Sequence, residues 1–305
     1  MRIHLSIALL LAGFLAFGQK QVAITFDDLV MGGGELSYEL MRAANMKIIE
    51  DCKAFEVPAI GFVNESKLYK DEKNQNRIAI LEAWLDQGLV LGNHTFSHPS
   101  LYKTPLEEYQ ADVLKGERVT RQLMKERNMD LRYFRHPFLN TGPDSLTKAG
   151  FERFLDSLNY EIAPVSVESS DYVFNKVYLD AYRNNDSTMM ESIGMAYVTH
   201  TLRMFDFMDS ASQIVVGRPI SHIYLCHANH LNAAYMPLIY QGLKEKDFTF
   251  ISIAEALEDE AYELTDRYIG RSGISWVYRW DGENAIKWLR LEPEIDQEIL
   301  FLYQN

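Results

Sequence analysis

Cysteine is nearly absent from this chain: Cys52 and Cys226 are the only two among 305 residues. That excludes a small scaffold stapled by several disulfides. One bridge between them is open in an oxidising compartment. Cys226 falls inside the apolar run "HIYLC", so two buried free thiols are the competing expectation. There is no basic run either, and the formal charge is −13, which excludes nucleic acid or an anionic membrane surface as the expected partner. No repeat, low-complexity tract or Pro/Ser-rich linker interrupts the chain before residue 258. No G-x-S-x-G elbow announces a serine nucleophile. Stability must therefore come from a core, and a composition 47% hydrophobic and 12% aromatic can supply a large one.

What is present begins with a leader. Met1-Arg2 is followed by the apolar stretch Leu5 to Phe17, then by Ala16 and Gly18 where a signal peptidase cleaves. The stretch is short of the roughly 20 residues a membrane span needs, and no lipid-anchoring Cys follows it. The expected organisation is a signal peptide over 1–18, a barrel domain over 19–258 and a C-terminal extension over 259–305. Export to the periplasm or the medium follows, without stable membrane insertion after cleavage. Oligomeric state has no signature in the sequence.

Short apolar runs alternate with amphipathic stretches, the pattern of βα units around a parallel sheet. Strands are expected at Val22 to Phe26, in "AIGFV", "LVLG", "RYF", "EIAPVSV", "HIYLC" and "FTFISI". Helices are expected from Ser37 to Phe55, Arg77 to Asp86, Asp144 to Leu158, through 172–216 and from Pro237 to Glu245. The clearest runs over 104–127, with Thr104 as N-cap, Pro105 at N1 and Glu107 completing a capping box. Trp276, Tyr278 and Trp280 alternate as on the buried face of a strand, with contact to a glycan as the other reading.

In such folds chemistry gathers at the carboxyl ends of the strands. Polar residues stand there: Asp27-Asp28, Asn64, His94 with His98, Arg135, Asp171 and His227. His94 and His98 can share one ion if their loop makes a helical turn ended by Pro99. A carboxylate from another strand end would complete a three-ligand set with positions left for water and substrate. The same set serves non-haem iron oxygenases, which remains the competing reading on ligands alone. Adjacent Asp27 and Asp28 should point to opposite faces if the strand continues through them.

The segments "TFDD", "HTFSH", "FRHPF", "SSDY" and "LCH" stand at successive strand ends. In order and approximate spacing they resemble the five motifs of the polysaccharide deacetylase family, metal-dependent carbohydrate esterases on an irregular (β/α)7 barrel. The resemblance covers about residues 20–258. It implies Asp27 as catalytic base, Asp28, His94 and His98 as ligands of a divalent metal (zinc first, cobalt as another option), and Arg135 as the partner of Asp27. It implies His227 as catalytic acid and Asp171 as the carboxylate that orients it. The implied reaction is hydrolysis of a linear amide, the acetamido group of an N-acetylglucosamine-containing glycan such as peptidoglycan. An O-acetyl xylan esterase is the alternative within the enzyme class, and a silent sugar-binding barrel the alternative outside it. The chain departs from the family pattern at Leu29, where Gly is usual, at Tyr172, where Trp is usual, and in the ionisable His136 beside Arg135.

Of the other polar residues, His200, His222 and His230 are expected as structural, and Asn229 and Asn232 as caps of the following helix. The methionines at 189, 190, 195, 204 and 208 are expected in helix packing.

Overall fold

The computed structural model describes residues 20–72 and 74–305; the expected signal peptide lies outside them. The described residues form eight strands and twelve helices: β1 (Lys20–Leu29), α1 (Tyr38–Phe55), β2 (Ile60–Val63), α2 (Asn74–Asp86), β3 (Val90–Asn93), α3 (Leu106–Lys115), α4 (Arg118–Glu126), β4 (Tyr133–Phe134), α5 (Ser145–Ser157), β5 (Glu161–Ile162), β6 (Val167–Glu168), α6 (Asp171–Arg183), α7 (Ser187–Val216), β7 (Ser221–His227), α8 (His230–Glu245), β8 (Phe248–Phe250) and α9 to α12 (Ile253–Ala256, Trp276–Trp280, Ala285–Leu289, Gln297–Gln304). Every strand pairing is parallel. Seven strands follow the order β5-β4-β3-β2-β1-β7-β6, and β8 adds to the first residues of β1. The curved sheet with its covering helices is the expected irregular (β/α)7 barrel.

β1 shows how the sequence builds two cores. Val22, Ile24 and Phe26 face outward into the large apolar layer under the helices, where Phe26 meets Trp84 edge-on at 5.5 Å. Ala23 faces inward and joins Ile60, Phe62, Tyr133, Ala163 and Ile223 inside the barrel. Thr25 and Asp27 continue that inner row, so the period of two that fills the barrel also aims Asp27 at its mouth.

Three expectations about elements fail for physical reasons. The helix over 104–127 is two helices, broken at Gly116, whose backbone lies against Thr95 and Phe96; a Cβ there would sit 2.3 Å from the Thr95 carbonyl carbon. Thr104 makes no cap; the helix begins after Pro105, without a side-chain cap. "EIAPVSV" is not one strand: β5 pairs with β4 and β6 with β7, with Pro164 between them, so the barrel stays open at this seam. The C-terminal segment lies across the seam, where the Trp276 N–H donates to the Val165 carbonyl (2.8 Å) and the Ser275 hydroxyl to the Ser166 carbonyl (2.8 Å). "SWVYRW" is a helical turn rather than a strand, buried on every side. Both cysteines are free and buried.

Candidate active site and metal centre

β1 does not carry its alternation through "TFDD". Its register against β2 slips between Phe26 and Leu29, and Asp28 takes a left-handed φ of 70°. The expectation that the two carboxylates point to opposite faces is overturned: the irregularity turns Asp28 back, and both line one cavity. That cavity, about 460 Å³, opens at the carboxyl ends of the strands and also receives His94, His98 and His227. Arg135 and Asp171 stand directly behind it.

Asp27 is 2% exposed, and Arg135 Nη1 approaches its two oxygens at 3.3 and 3.4 Å. Arg135 is fully buried and locked otherwise, with Nε donating to the Ala163 carbonyl (2.7 Å), Nη2 to Thr25 Oγ1 (3.0 Å), and the guanidinium 4.6 Å above the Phe62 ring. Burial raises the Asp27 carboxyl to about 6, against the pull of Arg135.

The three expected ligands converge. His94 Nδ1 lies 2.8 Å from the Arg135 carbonyl, to which it can only donate, so Nε2 keeps its lone pair. That Nε2 is 3.9 Å from Asp28 Oδ1, and His98 Nε2 is 3.6 Å from the same oxygen. One donor atom from each of Asp28, His94 and His98 lies within 4.8 Å of the others. Asp28 Oδ1 is buried without a well-aligned hydrogen bond, and the Lys67 ammonium stands 3.1 Å away. Burial would raise the Asp28 carboxyl, but Lys67 and the surrounding histidines hold it well below the usual range. Burial keeps both imidazoles on the neutral side. A charged carboxylate and two neutral imidazoles around an orphaned oxygen fit a divalent cation such as zinc.

The helical turn expected for the His94–His98 loop does not form. Thr95 and His98 have φ of 67° and 60° instead, and the loop is held from outside. Asn93 Oδ1 accepts the Thr95 N–H (2.7 Å), Thr95 Oγ1 accepts the His98 N–H (3.1 Å), and Asp112 on α3 takes the N–H groups of Phe96 and Ser97 (2.8 and 2.9 Å). The break at Gly116 brings that helix close enough for the clamp. Asn64, at the end of β2, donates to the His94 carbonyl.

On the opposite wall His227 Nδ1 meets Asp171 Oδ1 at 2.7 Å. Asp171 Oδ2 accepts the His227 backbone N–H (2.9 Å) and the side-chain amides of Asn229 (2.8 Å) and Asn232 (2.7 Å). Burial works against a charged His227, but the Asp171 carboxylate outweighs it and holds the imidazole up at about 10. Asn229 does cap α8, as expected, through the Asn232 N–H (2.8 Å). The amides also serve Asp171, a role that sequence reasoning missed, although the Asn spacing after His227 in "HANHLNA" carried the signal.

Lys67 and Glu168 were missed as site residues, and nothing local in their segments marks them; Tyr278, for which glycan contact was the other reading, borders the cavity. Met204 and Met208 are more than packing, for both border the cavity. His136 lies outside it: burial, with help from Arg279, Lys148 and Arg135, pushes the ring down to about 3, and it packs between Phe134 and Phe151. His222 and His230 also lie away from the cavity, and His200 borders a neighbouring one.

The fold and this site define a parallel βα barrel in which three side chains that could hold a metal ion, Asp28, His94 and His98, stand between the buried Asp27 carboxyl and the His227 imidazole. The sequence model of the polysaccharide deacetylase family matches residues 15–152, somewhat under half of the chain. A peptidoglycan-N-acetylglucosamine deacetylase of Bacillus cereus is 32% identical over 107 residues, 35% of this chain and 33% of that one. A chitin deacetylase of Colletotrichum lindemuthianum is 24% identical over 180 residues, 58% of this chain and 64% of that one. The chain thus spans about a third and just under two-thirds of these relatives. Among solved structures, a CE4 family pseudoenzyme from Bacillus anthracis superposes with a TM-score of 0.53 at 15% identity, covering 79% of this chain and 66% of that one. A polysaccharide deacetylase from Bacillus cereus gives 0.51 at 17%, covering 76% and 91%. These likenesses show the fold.

Proposed function

We propose that this chain is an exported, metal-dependent hydrolase that removes acetyl groups from an N-acetylated glycan. The observation that carries the reading is one cavity in which Asp28, His94 and His98 converge between Asp27, fixed by Arg135, and His227, fixed by Asp171. A divalent cation held by Asp28, His94 and His98, zinc first, would polarise the acetyl carbonyl and acidify a water. Asp27 would take the proton of the attacking water, and near neutral pH a carboxyl at about 6 is mostly ionised. His227 enters charged and gives its proton to the departing amine, while Asp171 keeps Nδ1–H in place. Arg135 and the two asparagines move no proton; they fix the orientation of the groups that do. An O-acetyl ester would meet the same groups, so acetylated xylan is the second substrate class.

A silent sugar-binding barrel is the alternative reading, since the fold alone does not decide activity and a structural neighbour with this fold is a pseudoenzyme. The side chains favour an enzyme, because a binder has no use for a buried Arg135–Asp27 pair beside a charged imidazole. The deciding experiment measures acetate release from N-acetylglucosamine oligosaccharides with added zinc. Wild type should be active and lose activity to a chelator. Asp27→Asn should retain zinc but fall by about 10²–10⁴-fold, whereas Asp28→Ala should lose zinc itself. Equal background rates for wild type and Asp27→Asn would sink the hydrolase reading.

A further inference from the structure

The cavity has two unlike ends. One is the ligand set; the other is a partition of Glu168, Met204, Leu289 and Glu292. The same four residues border a second cavity of about 390 Å³ on their far side. The partition is anchored rather than draped. The Tyr278 hydroxyl donates to Glu292 Oε1 (2.8 Å) and touches Met208 Sδ (2.9 Å), and the Tyr278 ring lies parallel to Trp288, centroids 6.1 Å apart. Trp288 is itself held through Nε1 to Asp281 Oδ2 (2.7 Å). Upstream, Gly273 presses on the "FRHPF" loop so closely that a Cβ would lie 1.7 Å from the Phe138 carbonyl oxygen.

We propose that the C-terminal segment 273–292, with Met204 of α7, determines substrate length by closing the far end of the cavity, so that the site accepts a short acetylated saccharide or the end of a chain and not the interior of a polymer. The bond cleaved rests on the deacetylase reading; the length limit rests on the shape of the cavity alone. Reaction within a polymer needs room for sugars on both sides of the acetylated one, and here one side is walled. The volume falls in the roughly 300–1,000 Å³ range of small-molecule pockets. The partition also has a chemistry. It offers the carboxylates of Glu168 and Glu292 beside apolar Met204 and Leu289, and no Lys or Arg is among the described residues lining the cavity. Burial raises both carboxyls, Glu168 to about 7, so such a wall exchanges hydrogen bonds with sugar hydroxyls and offers no cation to an acidic group, which favours neutral sugars over uronic or lactyl-bearing ones.

The test is calorimetric binding of the N-acetylglucosamine series, from monosaccharide to hexasaccharide, to zinc-loaded Asp27→Asn. Affinity should level off by the disaccharide and change less than about threefold beyond it. A continued gain of about tenfold or more by the hexasaccharide, or no binding at any length, would overturn the proposal. Leu289→Ala combined with Glu292→Ala joins the two cavities and should move the plateau to longer saccharides; Met204→Ala tests the partition from the α7 side if the double variant fails to fold. An unmoved plateau in a folded variant removes the partition from the explanation. A plateau without acetate release by wild type defeats the deacetylase reading and leaves this one standing, whereas acetate release that grows with length does the reverse.

Discussion

Burial and charge oppose each other at each residue of the proposed acid–base pair. Burial lifts Asp27 to about 6 despite Arg135, and Asp171 lifts His227 to about 10 despite burial. Activity should therefore rise as Asp27 loses its proton and fall as His227 loses its own, and a bound dication will draw the lower limb below 6. Asp171→Asn leaves burial opposed only by the smaller pull of Asp28 and Asp27, so the alkaline limb should move down towards the ordinary imidazole value; a pH–rate profile of that variant that still turns near 10 would contradict the assignment. Lys67 acts on the same centre with the opposite sign. Its ammonium, 3.1 Å from Asp28 Oδ1, opposes a cation at that oxygen. Lys67→Met should tighten zinc binding by about five- to tenfold, on the order of 1 kcal/mol of relieved repulsion, while Lys67→Arg should leave it unchanged in the same calorimetric titration. Asp27, Asp28, His94, His98, Arg135, Asp171 and His227 were readable because each stands within a short motif at a strand end. Lys67 was not, because it reaches the centre from a turn after β2 through tertiary packing alone.

At the scale of elements, left-handed non-glycine residues recur where the motifs leave their strands: Asp28, Thr95 and His98, Phe138 and Leu139, and Ser170. Such conformations cost on the order of 1–3 kcal/mol each and persist where the surroundings over-determine them. Helix α3 supplies part of that constraint through Asp112. Gly116 has an ordinary φ of −83°, so Ala fits its backbone and would by itself be neutral or favourable by up to about 1 kcal/mol. A Cβ there would meet the Thr95 and Phe96 backbone at 2.3 and 2.4 Å. Gly116→Ala should thus destabilise by about 1–3 kcal/mol in urea unfolding and also weaken zinc binding, since the displaced loop carries His98. A stabilised variant would show that the contact is slack. Most strands and helices were legible from periodicity and caps, as at Ser37, Asp144 and Asn229, whose side chains each accept a first-turn N–H. The failures share one cause. Gly116, Pro164 and the aromatic run at 276–280 take their structure from a partner distant in sequence, and local pattern carries no record of it.

Across the whole molecule, the C-terminal segment completes a barrel that its strands leave open, and one side chain fastens much of it. Arg279 is fully buried inside the segment. Its guanidinium donates to the Leu139 carbonyl (2.5 Å), Thr141 Oγ1 (3.1 Å) and Asp266 Oδ2 (3.0 Å), and stacks over Trp276 at 4.4 Å. The first two partners belong to the loop after β4 that carries Phe138; the others belong to the tail. Asn140 from the same loop reaches the Arg271 carbonyl (2.9 Å). Arg279→Met keeps much of the volume and the apolar contact with Trp276 but removes every donor. Asp266 retains Lys148 at 2.6 Å, so the loss falls mainly on the two loop acceptors and on the Ile274 carbonyl, to which Arg279 Nε donates (3.1 Å). The expected cost is about 3–5 kcal/mol, as for breaking a buried charged network. The effect should also be spatially selective, with hydrogen exchange quickening in the tail and in the loop after β4 before it does so in β1 or β7, where the barrel's own ladder is intact. Uniform quickening across all strands would mean that the tail belongs to one cooperative unit with the barrel. Selective loosening would make the tail a separately stabilised cover, and Arg279→Met should then admit longer saccharides before the barrel itself unfolds.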